Sequence, residues 1–326
     1  MNIKENLKFD NIIDNFKNTF FRAVVENRKD PKKLGRVQVR ILGIHPDDIQ
    51  KVPTKSLPWA EVIVPNVHQG QMSGIGNSTV PLEGSWVWVF LENGDFNKPI
   101  VVGMINGISQ RVNPGGKNSG FWDQNKKYPI KERLNEPDIN RLARNEKFSE
   151  TLIKKVKDAK RTKGIPTAAG STWDEPKESS SKAKYPDNTV IETQTGNIIE
   201  YDDTAGNSRI HFFHNTGTYW EMTNLGDFAS KVVRDKFTIV NRDFKELIKR
   251  NHTQTINKNK EEKIGKDETV NVGGNRKETV KGNETFLTKG TRNETVKGAV
   301  TEKYASGQKT DGGPQIKIKA GVILLN

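Results

Sequence analysis

An eight-residue repeat in the last third of the chain limits the possible folds more than any other feature. From residue 232 to residue 296, every eighth position is a β-branched aliphatic, except for Thr288. Such side chains fit the packed face of a pleated strand, so each repeat predicts one short strand. The predicted core positions are Val232, Val240, Ile248, Ile256, Ile264, Val272, Val280 and Val296.

Polar and small residues follow each aliphatic and predict a corner. Three positions after the aliphatic, residues 235 to 283 are Asp or Asn in seven successive repeats. Two positions after it, Arg or Lys in the early repeats changes to Gly from residue 274 onward. Because Gly accepts a positive φ and Asn tolerates one, this is turn chemistry, and the corners should be wider and more polar first and tighter later. The predicted corner residues are Gly274, Asn275, Gly282, Asn283, Gly290 and Gly298.

One aliphatic in eight residues is too little to build a core within one chain. The whole chain is only 33% hydrophobic, against roughly 45–50% in average globular proteins. Repeats stack to share a core, and three chains wound together would also cover the strand edges. We therefore predict that residues 189–326 form a homotrimer in which three chains wind together as a triple-stranded β-helix.

The N-terminal third predicts a different β-structure over residues 20–110. Alternation such as that of Val37, Val39 and Ile41 indicates strands with one buried face. Five short strands separated by loops suit a small barrel of the oligonucleotide/oligosaccharide-binding (OB) type, so the fold class is all-β. We expect Trp59, Trp86 and Trp88 to serve the barrel core or a docking surface rather than stack on a ligand. The strand candidates are residues 21–26, 36–42, 57–65, 83–91 and 99–105.

Residues 111–188 predict a linker, and residues 1–19 a polar extension. The linker contains a short helix over residues 146–160 with an apolar face. No apolar run of about 20 residues predicts a transmembrane helix, and no secretory signal is evident. The apolar face of the linker helix consists of Phe148, Leu152, Ile153, Val156 and Ala159. A second amphipathic spacing, in the extension, consists of Ile12, Ile13, Phe16 and Phe20.

The sequence gives no pattern for a catalytic, cofactor or metal site. There is no cysteine, which excludes disulfides, Cys-ligated zinc and thiol catalysis. His211 and His214 lie three apart in a strand, so they point to opposite faces and cannot chelate together. The net charge of +13 suits a solvated surface or an anionic partner. The lysines rarely alternate with aromatics, so we expect no nucleic-acid binding.

Several stretches resemble the central spike protein of contractile-tailed phage baseplates of the T-even type. In the barrel they are VENRKDPKKLGRVQVR at 25–40, LPW at 57–59, MSGIG at 72–76 and VVG at 101–103. Beyond the linker they are ETQTGNIIEYDDT at 192–204, HNTGTY at 214–219 and VKGN at 280–283. The resemblance covers about residues 20–135 and 173–326, and the barrel also resembles the spikes of type VI secretion systems.

The resemblance implies a virion protein of the tail baseplate. Its barrel would sit on a hub protein, and its needle would pierce the host outer membrane and enter the periplasm. A tip-capping protein could bind the terminal strand at 315–325. T-even relatives insert a lysozyme between barrel and needle, but the gap here, residues 136–172, is too short for one. Its carboxylates suggest no acid and nucleophile pair, so we predict no enzyme activity. They are Glu136, Asp138, Glu146, Glu150 and Asp158.

Three alternatives stay open at this point. A spike of a type VI or extracellular contractile injection system would be recognised by its gene neighbourhood. A cell-wall hydrolase, which we disfavour, would clear murein in a zymogram. A single-strand nucleic-acid binder would show salt-dependent binding to an oligonucleotide.

Overall fold

The computed structural model describes residues 19–65, 73–76, 78–108, 120–146, 151–176 and 182–313. The chain divides into two compact units, Met1–Asn257 and Lys258–Asn326. Of the amphipathic spacing expected in the N-terminal extension, Ile12, Ile13 and Phe16 lie outside the described residues, as does the expected terminal strand at 315–325. Within the described ranges, no helix is long and apolar enough to cross a membrane.

The first structure in the chain is a closed five-stranded barrel, which confirms the predicted barrel. Its strands are β1 (Phe21–Asn27), β2 (Val37–Ile41), β3 (Trp59–Val62), β4 (Trp86–Leu91) and β5 (Pro99–Met104). They close in the order β1-β2-β3-β5-β4, in which only the β3–β5 pair is parallel. Short 3-10 turns lie at Thr54–Ser56 and Glu92–Gly94. The core is Ala23, Val25, Val37, Val39, Ile41, Ala60, Val87, Val89, Leu91 and Val101.

A buried ion pair stabilises one side of the barrel. Arg40 and Glu26 are fully buried and lie 2.6 Å apart. Arg40 also donates to the carbonyls of Pro46 and Val52 at 2.7 Å each, so its charge is well satisfied. The chain after the barrel passes against this arginine at Gly120, where an added Cβ would lie 1.8 Å from Arg40 Nε.

A five-stranded antiparallel meander follows. Its strands are β8 (Asn188–Glu192), β9 (Ile198–Asp202), β10 (Arg209–Phe213), β11 (Tyr219–Thr223) and β12 (Phe228–Lys231), and each pairs with the next along the chain.

The segment that we expected to be a linker contains short elements. They are a 3-10 turn at Lys131–Arg133, helix α1 (Arg141–Arg144), helix α2 (Leu152–Ala159) and the hairpin of β6 (Ile165–Pro166) and β7 (Thr172–Trp173). Helices α1 and α2 pack on the five-stranded sheet. Helix α2 falls within the predicted helix and begins after Thr151, whose side chain accepts from Lys154 N at 3.3 Å. Phe148 lies outside the described residues. We call residues 131–176 the cap.

Residues 232–313 hold no helix or strand in this single chain. The backbone bends at two successive residues in every repeat, from 233–234 through 305–306, with a spacing of eight. We call this segment the octad segment.

Candidate association surface

The octad segment presents a regular row of aliphatic side chains. The side chains at the eight predicted core positions are each 42–50% exposed. Beyond Val233, the large apolar side chains at the other positions of the octad are 62–86% exposed. The aliphatic positions, each followed directly by a bend, are therefore more sheltered than the other apolar positions of the octad. Since nothing in the same chain covers them fully, they form an apolar row available to a partner.

The backbone of the octad segment is also unpaired. Within residues 234–313, all of them described, no hydrogen bond joins two backbone groups. Unpaired strand edges are templates for pairing with another chain. Both the side chains and the backbone of this segment therefore require a partner to be satisfied.

The corner residues sit at the bends, but not for the reason we expected. Gly274, Gly282, Gly290 and Gly298 are each the second residue of a bend, and Asn275 and Asn283 directly follow one. None of these glycines has a positive φ, so the expectation that they supply left-handed geometry was wrong. Arg or Lys can hold the same position in earlier repeats because its backbone is ordinary. An added Cβ at each of these four glycines would meet nothing within 4 Å in the single chain.

The five-stranded sheet, which precedes the octads in the chain, carries an exposed apolar face of its own. One face of β8–β12 carries aromatic and aliphatic side chains, of which Phe228 is 63% exposed and Ile191 is 59% exposed. On it Phe212 stacks on Trp220, with ring centroids 4.0 Å apart and 17° between planes. A contiguous exposed apolar face of this kind marks an interaction site. We call it the aromatic face; it consists of Ile191, Ile199, Tyr201, Ile210, Phe212, Trp220, Met222 and Phe228.

The opposite face of the sheet is charged, yet it is buried beneath the cap. Lys157 of α2 donates to Glu221 at 2.9 Å and lies 3.8 Å from the ring centroid of Tyr219. Glu175 accepts from Tyr219 Oη at 3.0 Å and from Lys231 Nζ at 2.7 Å. Burial raises the pKa of Glu175, but these bonds outweigh it and leave the pKa below its ordinary value. The sheet is thus fixed on its polar side, and its apolar side is left open.

A row of ionisable side chains crosses the buried face. Glu200, His211 and Glu221 lie opposite one another on β9, β10 and β11. Burial raises the pKa of Glu200, yet His211, with Nδ1 3.5 Å away, and Arg209 together lower it below its ordinary value. His214 is exposed in the following turn, where it bonds to Thr216 Oγ1. In the described part of the chain, no three His, Asp or Glu side chains are arranged to hold a metal ion.

Acidic residues of the segment 136–172 take part in structural hydrogen bonds and ion pairs. Glu136 pairs with Arg141 at 2.7 Å, Asp138 accepts from Gly107 N at 2.8 Å, and Glu146 pairs with Arg144. Asp158 lies in α2, and Glu150 is outside the described residues. Glycoside hydrolysis needs two carboxylates facing one another across a cleft. Glu136, Asp138 and Glu146 are each bonded to a neighbouring arginine or backbone N–H.

The barrel has a second apolar surface on its outside. Trp88 is 38% exposed, with the Arg22 guanidinium 5.7 Å from its ring centroid. Phe20 packs edge-on against Phe90, and Met104 is among the most exposed apolar side chains of the barrel. Trp59 and Trp86 are half-buried.

These features define a class of protein: a barrel joined to a repeating segment that is completed by association with other chains. The particular family follows from comparison. Residues 43–188 match the model of the Gp5 N-terminal OB domain, and residues 222–318 match that of the bacteriophage T4 gp5 C-terminal trimerisation domain.

Two relatives give the same result. Protein Gp5 of Vibrio phage KVP40 is 36% identical over 255 residues, which cover 69% of this chain and 60% of that protein. The pre-baseplate central spike protein Gp5 of Enterobacteria phage T4 is 44% identical over 117 residues, or 34% of this chain and 20% of that protein. The chain is therefore a homologue of the Gp5 baseplate central spike proteins, and it spans less than two thirds of either relative.

Proposed function

We propose that this chain is the structural central spike of a contractile phage tail baseplate and that it works as a homotrimer. The observation that carries the proposal is the octad segment, in which a row of aliphatics and an unpaired backbone both lack partners within the chain. The match to a trimerisation domain supports three copies, and the name of the phage T4 relative supports the baseplate location.

In the trimer, each chain contributes one octad to each level of a three-sided prism. The aliphatic rows meet around a common axis, and backbone groups pair between chains. Every strand in such a needle is then hydrogen-bonded to two neighbouring chains, so opening one part of it locally costs much free energy. This is the property required of a needle that is driven through an outer membrane into the periplasm.

The aromatic face extends the same interface toward the barrel. The trimerisation match begins at residue 222, inside β11, so it reaches the sheet that carries this face. Packing Phe212, Trp220 and Phe228 against a second copy would bury a face that one chain leaves open. The barrel's outer surface around Trp88 and Phe20 is then free to dock on a hub protein. The terminal residues 315–325 would receive a tip-capping protein.

We propose a structural role without lysozyme activity. The supporting observation is that Glu136 and Glu146 are ion-paired to arginines of the cap and that Asp138 accepts from the backbone N–H of Gly107, beyond the last barrel strand. Since both relatives come from phages, a phage tail is preferred to a secretion system.

Mass measurement of the purified full-length chain tests the proposal. Light scattering should give three times the 36.7 kDa chain mass, and negative-stain images should show a narrow needle. A monomeric mass at micromolar concentration would contradict the architecture. Clearing of murein in a zymogram by the pure protein would contradict the structural role.

A further inference from the structure

The octads carry a second pattern with twice the period of the aliphatics. Four positions after each aliphatic, the charge changes sign from one octad to the next across five octads. Residues of like sign are thus sixteen positions apart. The series is Lys260, Glu268, Arg276, Glu284 and Arg292.

A companion series lies six positions after the aliphatics. Glu262, Glu278 and Glu294 recur every sixteen residues, with Val270 and Phe286 between them. Two kinds of octad therefore alternate. One carries a cation and a glutamate, and the next carries a glutamate and an apolar residue.

Both series lie on the face that carries the aliphatics. Residues two apart in an extended strand share a face. Accordingly, Lys260 bonds Glu262 at 2.7 Å, Arg276 bonds Glu278 at 3.0 Å, and Arg292 bonds Glu294 at 3.1 Å. Tyr304 occupies the aliphatic position of its octad and donates to Glu302 at 2.9 Å, so this face includes the aliphatic position. These charges would therefore face the axis of the proposed trimer.

The next step rests on the proposed homotrimer. A chain that turns one corner per octad returns to the same side of a three-sided prism after three octads. The two strands between those octads belong to the other copies, so neighbouring strands are one octad apart in sequence. Strands lie about 4.8 Å apart, within reach of long side chains. Glu284 of one copy thus lies between Arg276 and Arg292 of its two neighbours.

We propose that this sixteen-residue charge alternation sets the register of the three copies. The aliphatic row repeats every eight residues, so a chain displaced by one octad would still fill the core. The same displacement would place like charges on adjacent strands, with Arg276 beside Arg292 or Glu268 beside Glu284. Opposite charges across neighbouring strands stabilise, and like charges destabilise. The charges therefore exclude a slip that the aliphatics permit.

Crosslinking measures the register directly, because the chain contains no cysteine. Lys277 and Thr285 are one octad apart on the face opposite the charges. A full-length K277C/T285C variant should crosslink between copies with a thiol reagent that spans one strand spacing, about 5 Å, but not two. A K277C/N293C variant, with cysteines two octads apart, should stay uncrosslinked. Crosslinking of the second pair alone would overturn the proposed register.

Charge variants test whether the alternating charges set this register. Glu284→Arg should lower the melting temperature of the trimer and reduce the fraction that resists SDS, or make the K277C/N293C pair reactive. Glu284→Gln, which keeps the shape, should have a smaller effect in the same direction. Lys277→Glu, on the opposite face, is the matched control and should leave stability and register unchanged.

The outcomes separate the two proposals. A monomeric wild-type chain would remove the homotrimer itself. A trimer in which Glu284→Arg changes neither stability nor crosslinking would leave the homotrimer intact and overturn only the charge register.

Discussion

At the scale of single residues, the barrel depends on charged groups that are nearly withdrawn from water. Asp30 accepts from Lys32 N at 3.0 Å, from Leu34 N at 2.9 Å and from the Arg36 guanidinium at 2.8 Å. The bond to Arg36, together with the two backbone bonds, holds the pKa of Asp30 well below its ordinary value. The loop between β1 and β2 is thus organised around an ionised carboxylate.

This arrangement predicts a loss of stability in acid. A carboxyl whose pKa is lower in the folded state stabilises the fold above its unfolded pKa, about 3.9, and loses that contribution as the pH falls toward the folded value. The melting temperature, followed by tryptophan fluorescence, should fall below about pH 4. Asp30→Asn should show lower stability at neutral pH and a shallower acid slope. Asp187→Asn, at an exposed position, is the control and should retain the wild-type acid slope.

Gly217 is a second residue whose identity is fixed by its surroundings. Its φ is +96°, and an added Cβ would lie 2.9 Å from Val156 Cγ1 in α2. Gly217→Ala should therefore destabilise the sheet and cap by about 1–3 kcal/mol in urea unfolding. Gly226→Ala is matched, because Gly226 also has a positive φ but a Cβ there would meet nothing within 4 Å. Equal losses for the two variants would show that the contact with α2 is unimportant.

At the scale of elements, the octad is the unit that needs a partner. Val280→Asp would bring three carboxylates together near one axis without partners, which is strongly unfavourable. Light scattering should show loss of the trimer, as it should for Val272→Asp. Thr279→Asp introduces the same charge one residue away on the other face and should be tolerated. If Val280→Asp still forms SDS-resistant trimers, the aliphatics do not face the axis.

Elements with simple alternation were predictable from sequence, and elements held by distant contacts were not. The barrel strands follow from positions such as Val37, Val39 and Ile41, whose burial is set by a period of two. The cap has elements of two to eight residues, and ion pairs such as Lys157–Glu221, 64 residues apart, hold it on the sheet. In sequence these residues look like ordinary solvated charges.

The aromatic face was missed for a related reason. β10 is apolar at Ile210 and Phe212 and polar at Arg209 and His211, and alternation alone suggests that the apolar side is covered within the chain. The charged side is covered instead. The sequence did contain one signal of this face. Phe212, Trp220 and Phe228 are spaced by eight residues, which is the period of the octads, although they precede the octad segment.

At the scale of the whole molecule, the aromatic face and the octads should act as one interface. Trp220→Glu should weaken the trimer because it places three charges on a face that we propose is covered by other copies. Trp173→Glu alters a tryptophan of the β6–β7 hairpin that is 49% exposed and should leave the trimer intact. Mass measurement after dilution would show which of the two variants dissociates more readily. Equal weakening would remove the aromatic face from the interface.

The lack of backbone pairing within residues 234–313 has a consequence for a cell infected by two phages at once. If a needle strand is satisfied only by the other two chains, one defective chain impairs the whole needle. With normal and defective chains made in equal amounts and mixing freely, only about one needle in eight would contain three normal chains. A mutation that leaves the defective chain able to enter the trimer should therefore be dominant, and the yield of infectious particles should fall roughly with the cube of the fraction of normal chains.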